Sequence, residues 1–532
     1  MKIMKGNTPL DTVTKVDVVN SPFVSKDVDF IDYDGTLLYS YTLEDIQKMN
    51  ELPPLPERDG LICQGWNWNL EDIKAHNRRL IVGATYITDD GKTRIYIDLT
   101  SEDRLEMSLY FSQTVKNGVE VDWGDGSPVE TFDKSSAYTY IFPTHKYKNV
   151  GKFVITFNSM DGCILRFGAS NYNNNITGSN YVNNKYARQH YSNAIYKVNI
   201  GKNVSLDNNF QFDDCRNLRE ATIPNSITKI GSSLFNECYS LSCVIFPSSM
   251  TEFGQNLFNY DYSLKVVSIP NGISAMPGSI FQDCYNLDEV ILPDSVIDLS
   301  KSNVFAGCYN LKEIIIPKNV TSLAYQLFAG CYSLKEIVIP YGVTSIGNSA
   351  FSNDHHLKKI IIPDSVTSMG SQVFSSNKTL REVIIPDSVT EIGSTTFGYC
   401  DSLIKVKLSK NITTIPQSMF VQCYSLPEIE IPENVMSIGN SAFNSCYSLL
   451  EIIIPNKVIN IAASAFNSCY SIKKYDFSKH IQVPTLENTN AFSSIQSDCQ
   501  IIVPDALYDE WIAATNWSYY ADRIVKVSEV KA

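Results

Sequence analysis

The sequence lacks the long hydrophobic runs that export or membrane insertion requires. Its first twenty residues, MKIMKGNTPLDTVTKVDVVN, contain no uninterrupted apolar stretch of the roughly 7–15 residues found in a secretory signal. Apolar runs elsewhere end at a proline within a few positions, far short of the about 20 residues of a membrane helix. We therefore expect no membrane insertion and no passage through the secretory pathway.

Concentrated positive charge is also missing. The formal net charge is −13 over 532 residues, and there is no Lys/Arg block or basic stripe interleaved with aromatic residues. Proteins that grip a phosphate backbone need such a stripe. We do not expect nucleic acid as a partner.

Metal-binding and catalytic spacings are absent as well. The thirteen cysteines include no CxxC pair, and the six histidines form no HExxH motif or catalytic set. We predict no catalytic residue, no metal site and no cofactor. Most cysteines form a column instead, with Asp261, Asp354 and Asn377 at interrupted places, which indicates a small buried hydrogen-bonding position. The column is Cys215, Cys238, Cys284, Cys308, Cys331, Cys400, Cys423, Cys446 and Cys469.

A period of 23 residues organises most of the chain. Prolines and phenylalanines both recur at this step, with one step of 24, and the two columns keep pace. Such self-similarity is typical of a solenoid, in which one coil cannot bury its apolar side chains alone and stacked coils share a core. The phenylalanine column is Phe212, Phe235, Phe258, Phe281, Phe305, Phe328, Phe351, Phe374, Phe397, Phe420, Phe443 and Phe466.

One unit shows how a coil is expected to fold. In LKEIVIP at 334–340, the first, fourth and sixth residues follow LxxLxL spacing and turn inward, whereas the second, third and fifth face outward. Proline ends this strand because it has no N–H to donate. VTSIG follows as a second extended segment, and Gly347 is expected to reverse the backbone before Phe351, the large internal plug.

The rest of the chain breaks this period. We predict a mostly β protein in which a leucine-rich-repeat solenoid follows an immunoglobulin-like β-sandwich and an extended N-terminal arm. Short helices are expected near 43–50 and 506–514. The predicted regions are an arm or anchor at 1–79, a β-sandwich at 80–165, a linker and lead-in at 166–199, the solenoid at 200–478 and a C-terminal cap at 479–532.

Two motifs carry a family resemblance. The unit IPxxVTxIGxxxFxxCxxL, which covers about 200–478, resembles the BspA-type leucine-rich repeats. The stretch VDWGDG at 121–126, with THKY at 144–147, resembles the PKD-type immunoglobulin-like domain. The whole arrangement is similar to repeat proteins encoded by gut bacteria and by their phages and prophages.

This resemblance implies a non-enzymatic binding protein whose array is adhesive or receptor-binding and whose N-terminal part is a mount. BspA-type adhesins carry an export signal, so its absence favours a phage virion protein of the tail, baseplate or capsid surface, assembled in the host cytoplasm. Its N-terminal region would contact other virion proteins, and its repeats would bind a bacterial surface glycan or protein. The alternative is a bacterial cell-surface adhesin.

A tyrosine column follows the cysteine column and is the first candidate contact surface. Charged residues replace tyrosine at some places, which indicates that the position reaches solvent. The rings could pack between coils or contact a ligand, and both readings stay open. The column is Tyr239, Tyr262, Tyr285, Tyr309, Tyr332, Tyr424, Tyr447 and Tyr470.

The second candidate surface is an apolar strip at the outward strand position. Soluble monomers rarely leave such a strip bare, so we expect another subunit, another part of this chain or a receptor to cover it. Self-association is left open. The strip consists of Ile291, Ile315, Val338, Ile361 and Ile384.

Two acidic motifs allow other readings. FIDYDGTLL resembles the first motif of haloacid-dehalogenase phosphatases, in which Asp32 would be the nucleophile and Asp34 a general acid. A turn between two extended segments is the favoured interpretation, and the phosphatase is a distant alternative. Asp122 and Asp125 either cap a turn or bind calcium.

Overall fold

The computed structural model describes residues 27–102, 105–133, 140–168 and 191–530. The chain divides into two compact units, Met1–Val296 and Ile297–Ala532. The beginning of the predicted arm and the polar lead-in at 171–186 lie outside the described residues. Within the described ranges, no helix has the length and hydrophobicity of a membrane span.

The N-terminal residues fold into a small α/β layer and not into the extended arm that the sequence predicts. Its strands are β1 (Val28–Ile31), β2 (Leu37–Tyr41), β3 (Leu61–Trp66) and β4 (Leu80–Thr88), and its helices are α1 (Leu43–Lys48) and α2 (Leu70–His76). The sheet order is β2-β1-β4-β3. The central pair β1 and β4 is parallel, with Val28 opposite Leu80, so the predicted boundary at 79 separates two hydrogen-bonded partners.

A second β region follows, as expected from the alternating sequence. Its strands are β5 (Thr93–Leu99), β6 (Glu106–Ser108), β7 (Phe111–Gln113), β8 (Val119–Asp122), β9 (Glu130–Thr131), β10 (Thr144–Lys146), β11 (Gly151–Ser159) and β12 (Leu165–Phe167). Along β5 every second side chain is buried, which is the pattern of a strand with one face in a core. Two short pairs, β10-β6 and β12-β7, form separate two-stranded sheets.

The main sheet of this region continues into the array. Its order is β14-β13-β5-β11-β8-β9, in which β13 (Ile195–Asn199) and β14 (Glu220–Thr222) belong to the first coils. β13 pairs antiparallel with β5 and parallel with β14. The change from antiparallel to parallel pairing marks the start of the solenoid within the first unit.

The array is a β-solenoid with the predicted repeat of about 23 residues, and its strands form parallel rows. Two further strand pairs lie in the first unit: β15 (Lys229–Ile230) with β16 (Glu252–Phe253), and β17 (Val266–Ser268) with β18 (Glu289–Ile291). Paired residues are 23 apart, as in Val266 opposite Glu289. The 23-residue repeat of the sequence therefore sets the register between neighbouring strands.

The second unit carries the same two rows. The row built from VTSIG-type segments contains β19 (Ser322–Leu323), β20 (Ser345–Ile346), β21 (Ser368–Met369), β23 (Glu391–Ile392), β25 (Thr414–Ile415), β26 (Ser437–Ile438), β28 (Asn460–Ile461) and β30 (Thr485–Leu486). The row built from LKEIIIP-type segments contains β22 (Glu382–Ile384), β24 (Lys405–Lys407), β27 (Glu451–Ile453), β29 (Lys474–Asp476), β31 (Gln500–Val503) and β32 (Ile524–Lys526).

The phenylalanine column forms a stacked ladder in the interior. The rings of Phe305 and Phe328 are 5.3 Å apart at 3°, and both side chains are fully buried. Each phenylalanine of the column is flanked, two residues before and two after, by a residue with left-handed backbone, such as Ser349 and Asn353 around Phe351. These paired left-handed residues turn the chain around the ring.

The reversal predicted at Gly347 is therefore made at Ser349, whose φ is 56°. Gly347 has a different role, because a Cβ there would lie 2.6 Å from the carbonyl carbon of Ala324 on the preceding coil. Glycine is required at this position by the close approach of two backbones.

The C-terminal residues close the second unit with a different pattern. The predicted helix is α3 (Tyr508–Ala513), and 3-10 helices span Thr489–Phe492, Asp505–Leu507, Trp517–Tyr520 and Val527–Glu529. Trp511 and Trp517 are fully buried, with ring centroids 5.3 and 5.4 Å from Phe477. These rings cover the end of the apolar interior.

Candidate binding surface

The cysteine column is a hydrogen-bond ladder inside the array. The Cys331 thiol donates to the carbonyl of Phe305 at 3.3 Å, and Cys446 donates to Phe420 at 3.2 Å. Burial raises the pKa of both thiols well above the usual range. A thiol that is buried, protonated and hydrogen-bonded is a poor nucleophile and a poor metal ligand, which agrees with the structural role expected from the sequence.

The polar substitutions in this column use the same geometry. The Asn377 amide donates through Nδ2 to the Phe351 carbonyl at 2.9 Å, and its Oδ1 accepts the N–H of Asp354 at 2.6 Å. The carboxyls of Asp261 and Asp354 accept the N–H groups of Cys238 and Cys331 at 2.7 and 2.8 Å. Burial raises the pKa of both carboxyls well above the usual value.

The tyrosine column is also a stacked ladder, at the edge of the array. In the second unit Tyr309 stacks on Tyr332 at 4.5 Å and 4°, and His355 continues the stack at 4.6 Å and 2°. Tyr239, Tyr262 and Tyr285 stack in the first unit at 4.7 Å. Because each ring covers its neighbour's face, a ligand would meet ring edges and hydroxyls.

Three further members of the column stand later in the second unit. Tyr424 and Tyr447 stack at 4.9 Å, and Tyr470 follows at 5.4 Å in a tilted arrangement. Tyr447 and Tyr470 are the more exposed members, and the others are half-buried. The stacking accounts for the column by packing between coils, and contact with a ligand stays a prediction.

The apolar strip lies on the outward side of the LKEIIIP-type row. We call this surface the strand face. It comprises the outward side chains of 242–245, 265–268 and 288–291 in the first unit, and of 312–315, 335–338, 358–361 and 381–384 in the second. In the second unit Ile315, Val338, Ile361 and Ile384 are 56 to 75% exposed. These four residues form an exposed apolar strip at the outward strand position.

Ile291 is different from the other predicted members of the strip, because it is only 6% exposed. It belongs to the hydrophobic core of the N-terminal layer, together with Cys243 and Ile245 from the same strand face. The contact is tight: a Cβ on Gly83 of β4 would lie 2.4 Å from Cγ2 of Ile245. In the first unit, another part of the chain therefore covers the strand face.

Polar contacts fix this covering layer. Arg79 Nε donates to both carboxylate oxygens of Glu289, at 2.7 and 2.9 Å. Arg78 donates to the carbonyl of Leu292 at 3.0 Å, and Asn67 Nδ2 donates to the carbonyl of Phe246 at 3.1 Å. In the first unit, aliphatic side chains and arginines of the N-terminal layer thus pack on the strand face.

The strand face of the second unit is exposed, and its outward positions carry the basic residues Lys312, Lys335, Lys358, Lys359 and Arg381 as well as carboxylates. Glu313, Glu336 and Glu382 each stand two residues before an exposed strip residue. These three carboxylates make no ion pair with any residue that the structure describes. A groove of about 630 Å³ opens between Ile361 and Ile384 and includes Glu382 in its lining.

The phosphatase-like motif does not form an accessible site. Asp32 is fully buried, and its carboxylate accepts a hydrogen bond from Arg58 Nε at 2.6 Å. Asp34 accepts the N–H of Thr36 at 2.9 Å in the turn between β1 and β2. A nucleophile must reach its substrate, so this geometry favours the turn over the enzyme.

The second acidic motif caps turns. Asp122 accepts the N–H of Gly124 at 2.9 Å, and Asp125 accepts the N–H of Ser127 at 3.0 Å. Burial opposes ionisation of Asp125, but hydrogen bonds from Ser127 and His145 outweigh it and lower the pKa to about 2. His145 Nε2 lies 2.8 Å from the second Asp125 oxygen. Both carboxylates therefore cap turns, and both oxygens of Asp125 are in contact.

Comparison with known proteins identifies the array. The family model described as "BspA type Leucine rich repeat region" matches six copies over residues 183–303, 300–427 and 413–509, more than half of the chain. The chain belongs to the BspA-type leucine-rich-repeat family. The family match begins at residue 183, so the PKD-like resemblance of the preceding β region stays untested.

Comparison with solved structures finds leucine-rich-repeat proteins that are similar to this BspA-type chain. A leucine-rich repeat protein from Bacteroides ovatus is 24% identical, covers 72% of this chain and 90% of its own, and has a TM-score of 0.55. A leucine-rich repeat protein from Eubacterium ventriosum is 21% identical, covers 64% of this chain and 92% of its own, and has a TM-score of 0.44. A leucine rich cell surface protein from Faecalibacterium prausnitzii is 25% identical, with coverage of 61% and 85% and a TM-score of 0.38. No curated protein matches the chain.

Proposed function

We propose that this BspA-type chain is a non-enzymatic, adhesin-type binding protein that holds a partner protein on the strand face of its second unit. The observation that carries the proposal is the bare strip of Ile315, Val338, Ile361 and Ile384. The family resemblance implies an adhesive array, and the strip is the part of the array best suited to contact.

The strip combines exposed apolar area with an ordered backbone. Full burial of a large aliphatic side chain is worth about 1.5–3 kcal/mol, so covering four such residues supplies a substantial part of a binding energy. Parallel bridges pair Val338 with Ile361 and Ile384 with Lys407, which holds these side chains in place before binding. A surface that is already ordered loses little entropy when a partner arrives.

A protein suits this surface better than a glycan. Sugars pack on exposed aromatic faces, whereas the stacked rings of Tyr309, Tyr332 and His355 cover one another. The strip offers exposed aliphatic groups, which suit the aliphatic side chains of a protein, beside charged residues of both signs. We therefore place the contact on the strip and assign packing between coils to the tyrosines.

The location follows the family. We propose the bacterial cell surface, because BspA-type arrays are taken to be adhesive there. The virion role expected from the sequence is more specific than the family assignment. No feature of the described residues favours it. Either location would use the same strand face, so the test below applies to both.

The test is attachment of the labelled full-length protein to gut bacterial cells, mucin and cultured epithelial cells. Val338→Glu with Ile361→Glu should lower attachment at least about tenfold, because two charges would be buried against the partner. Tyr309→Ala with Tyr332→Ala is the matched control and should retain attachment. Circular dichroism confirms that each variant is folded.

Two results would contradict the proposal. Attachment equal to wild type in the strip variant would remove the strand face as the binding surface. Loss of attachment in a folded tyrosine variant alone would move the surface to the tyrosine column.

A further inference from the structure

We infer that the partner of the second unit's strand face is a protein that presents carboxylates beside its aliphatic contact residues. This inference rests on the proposed function and names the charge of the partner. It comes from a basic patch that lies on the same coils as the apolar strip. The basic patch consists of Lys335, His355, His356, Lys358, Lys359, Lys378 and Arg381.

One coil carries the largest share of this charge. Its sequence over 355–361 is HHLKKII, in which Leu357 and Ile360 are buried and every other side chain is at least partly exposed. The four polar positions are all histidine or lysine, and Ile361 of the strip follows them directly in the outward direction. This segment therefore presents basic groups beside an aliphatic side chain and contains no carboxylate.

The neighbouring coils extend the patch on both sides. A parallel bridge pairs Lys359 with Glu382, which is 23 residues further along the chain. By the same register Lys358 stands between Lys335 and Arg381, and neighbouring coils are about 4.8 Å apart. Three basic side chains thus form a row along the array.

Like charges in the patch are held close together. The pKa of His355 is lowered, first by burial and then by the charges of Lys378 and His356. The five lysine and arginine side chains of the patch form no ion pair with any residue that the structure describes. Like charges that face each other in a sheet repel, so an anionic group brought to the patch relieves this repulsion.

Carboxylates around the patch are fewer than basic groups. The segments 332–338, 355–361 and 378–384 contain five lysine and arginine residues and two glutamates, which gives a net charge of +3 with neutral histidines. Asp401 lies in the following coil and Asp364 beyond the strip. The whole chain has a net charge of −13, so the patch is a positive surface on an acidic protein. Such a surface attracts and orients negatively charged partners.

An acidic protein segment fits this surface better than an acidic glycan. Lys359 lines the same groove as Ile361 and Ile384, so a ligand that covers the patch also reaches the strip. A glycan can carry anionic groups but has no aliphatic side chains to bury. A protein segment can place glutamate or aspartate beside aliphatic residues and match both parts of the surface.

The test is charge reversal in the attachment assay with the labelled full-length protein. Lys358→Glu with Lys359→Glu should lower attachment about fivefold, because the partner's carboxylates would meet like charges. Glu336→Lys with Glu382→Lys enlarges the patch and should raise attachment about two- to fivefold. Opposite responses to the two reversals would report the sign of the partner's charge.

A matched control separates the patch from net charge. Glu391→Lys with Glu433→Lys makes the same change in net charge at exposed positions outside the strand face, and it should leave attachment unchanged. Raising the salt from about 0.1 M to about 1 M shortens the Debye length from about 10 Å to about 3 Å. It should lower attachment of wild type more than that of the Lys358→Glu, Lys359→Glu protein. Circular dichroism confirms that each variant is folded.

Treatment of the target cells distinguishes a protein from a glycan. Trypsin, which removes surface proteins, should abolish attachment. Mild periodate, which oxidises the diols of glycans, should leave it unchanged.

The inference is overturned by unchanged attachment in both charge variants, by responses of the opposite sign, by attachment that survives trypsin or by loss of attachment after periodate. A dimer in light scattering that Lys358→Glu with Lys359→Glu dissociates would also overturn it, by making a second copy the occupant. If Val338→Glu with Ile361→Glu lowers attachment while the charge variants do not respond, the proposed function stands and only the charge of the partner falls.

Discussion

In the first unit Ile291 lies beneath the N-terminal sheet, whereas in the second unit its repeat equivalents Val338 and Ile361 face solvent. The three residues occupy the same position of the same repeat and differ by at most one methylene. β4 packs on the strand face of the first unit and buries Ile291 there. Position in a repeat fixes the direction of a side chain, and the elements packed outside the array decide whether that side chain is buried.

The largest expected effect tests whether the two units share one kind of interior. Phe258→Ala and Phe351→Ala each remove a fully buried ring from the ladder and should each cost about 3–5 kcal/mol. Urea unfolding followed by circular dichroism measures this cost. A cost that is large in one unit and below about 1 kcal/mol in the other would mean that the interiors are not equivalent.

The next effect should separate the units. Ile291→Glu places a charge in the core beneath the N-terminal sheet and should cost at least about 3 kcal/mol. Ile361→Glu places the same charge in solvent and should change stability by less than about 0.5 kcal/mol. Unfolding in urea compares the two. Similar costs for both would show that the strip is covered in the second unit as well.

The smallest effect concerns the buried carboxyls and should be alike in both units. Asp261→Asn and Asp354→Asn replace an acid with an amide that can donate to the phenylalanine carbonyl, as Asn377 does. At pH 8 each should stabilise the protein by about 1–3 kcal/mol, the cost of an imperfectly satisfied buried group. At pH 4 the gain should almost vanish.

The sign of this pH dependence follows from the raised pKa. The folded state holds the carboxyl proton more tightly than the unfolded state, whose pKa is near 3.8. The contribution of the acid to stability is therefore complete below that value and is lost as pH rises toward the folded-state pKa. Thermal unfolding between pH 4 and pH 8 tests this. Destabilisation by asparagine at pH 8 would contradict it.

Much of the fold could be predicted from the sequence because the array is repetitive. The phenylalanine column and the LxxLxL spacing depend on local periodicity, so they gave the solenoid, its interior and the outward strip. The pairing of Val28 with Leu80 depends on residues distant in sequence and on no repeat, and the prediction accordingly placed an arm where a sheet forms.

The candidate surfaces were harder to predict for a related reason. Alternation along a strand shows that Ile291 and Val338 point outward. It cannot show which of these side chains another part of the chain covers. The tyrosine column was compatible with packing and with ligand contact, because both require partial exposure at a regular interval. The ring geometry, with 4.5 Å between Tyr309 and Tyr332, shows the packing, and contact with a ligand stays a prediction.

The left-handed residues around each phenylalanine have a consequence for engineering this scaffold. Most are serine, asparagine, aspartate or glutamine, and two are glycine, Gly307 and Gly330. A non-glycine residue in this conformation costs about 1 kcal/mol. The coils are therefore less stable than this backbone allows. We expect Ser349→Gly or Asn353→Gly to raise the free energy of unfolding.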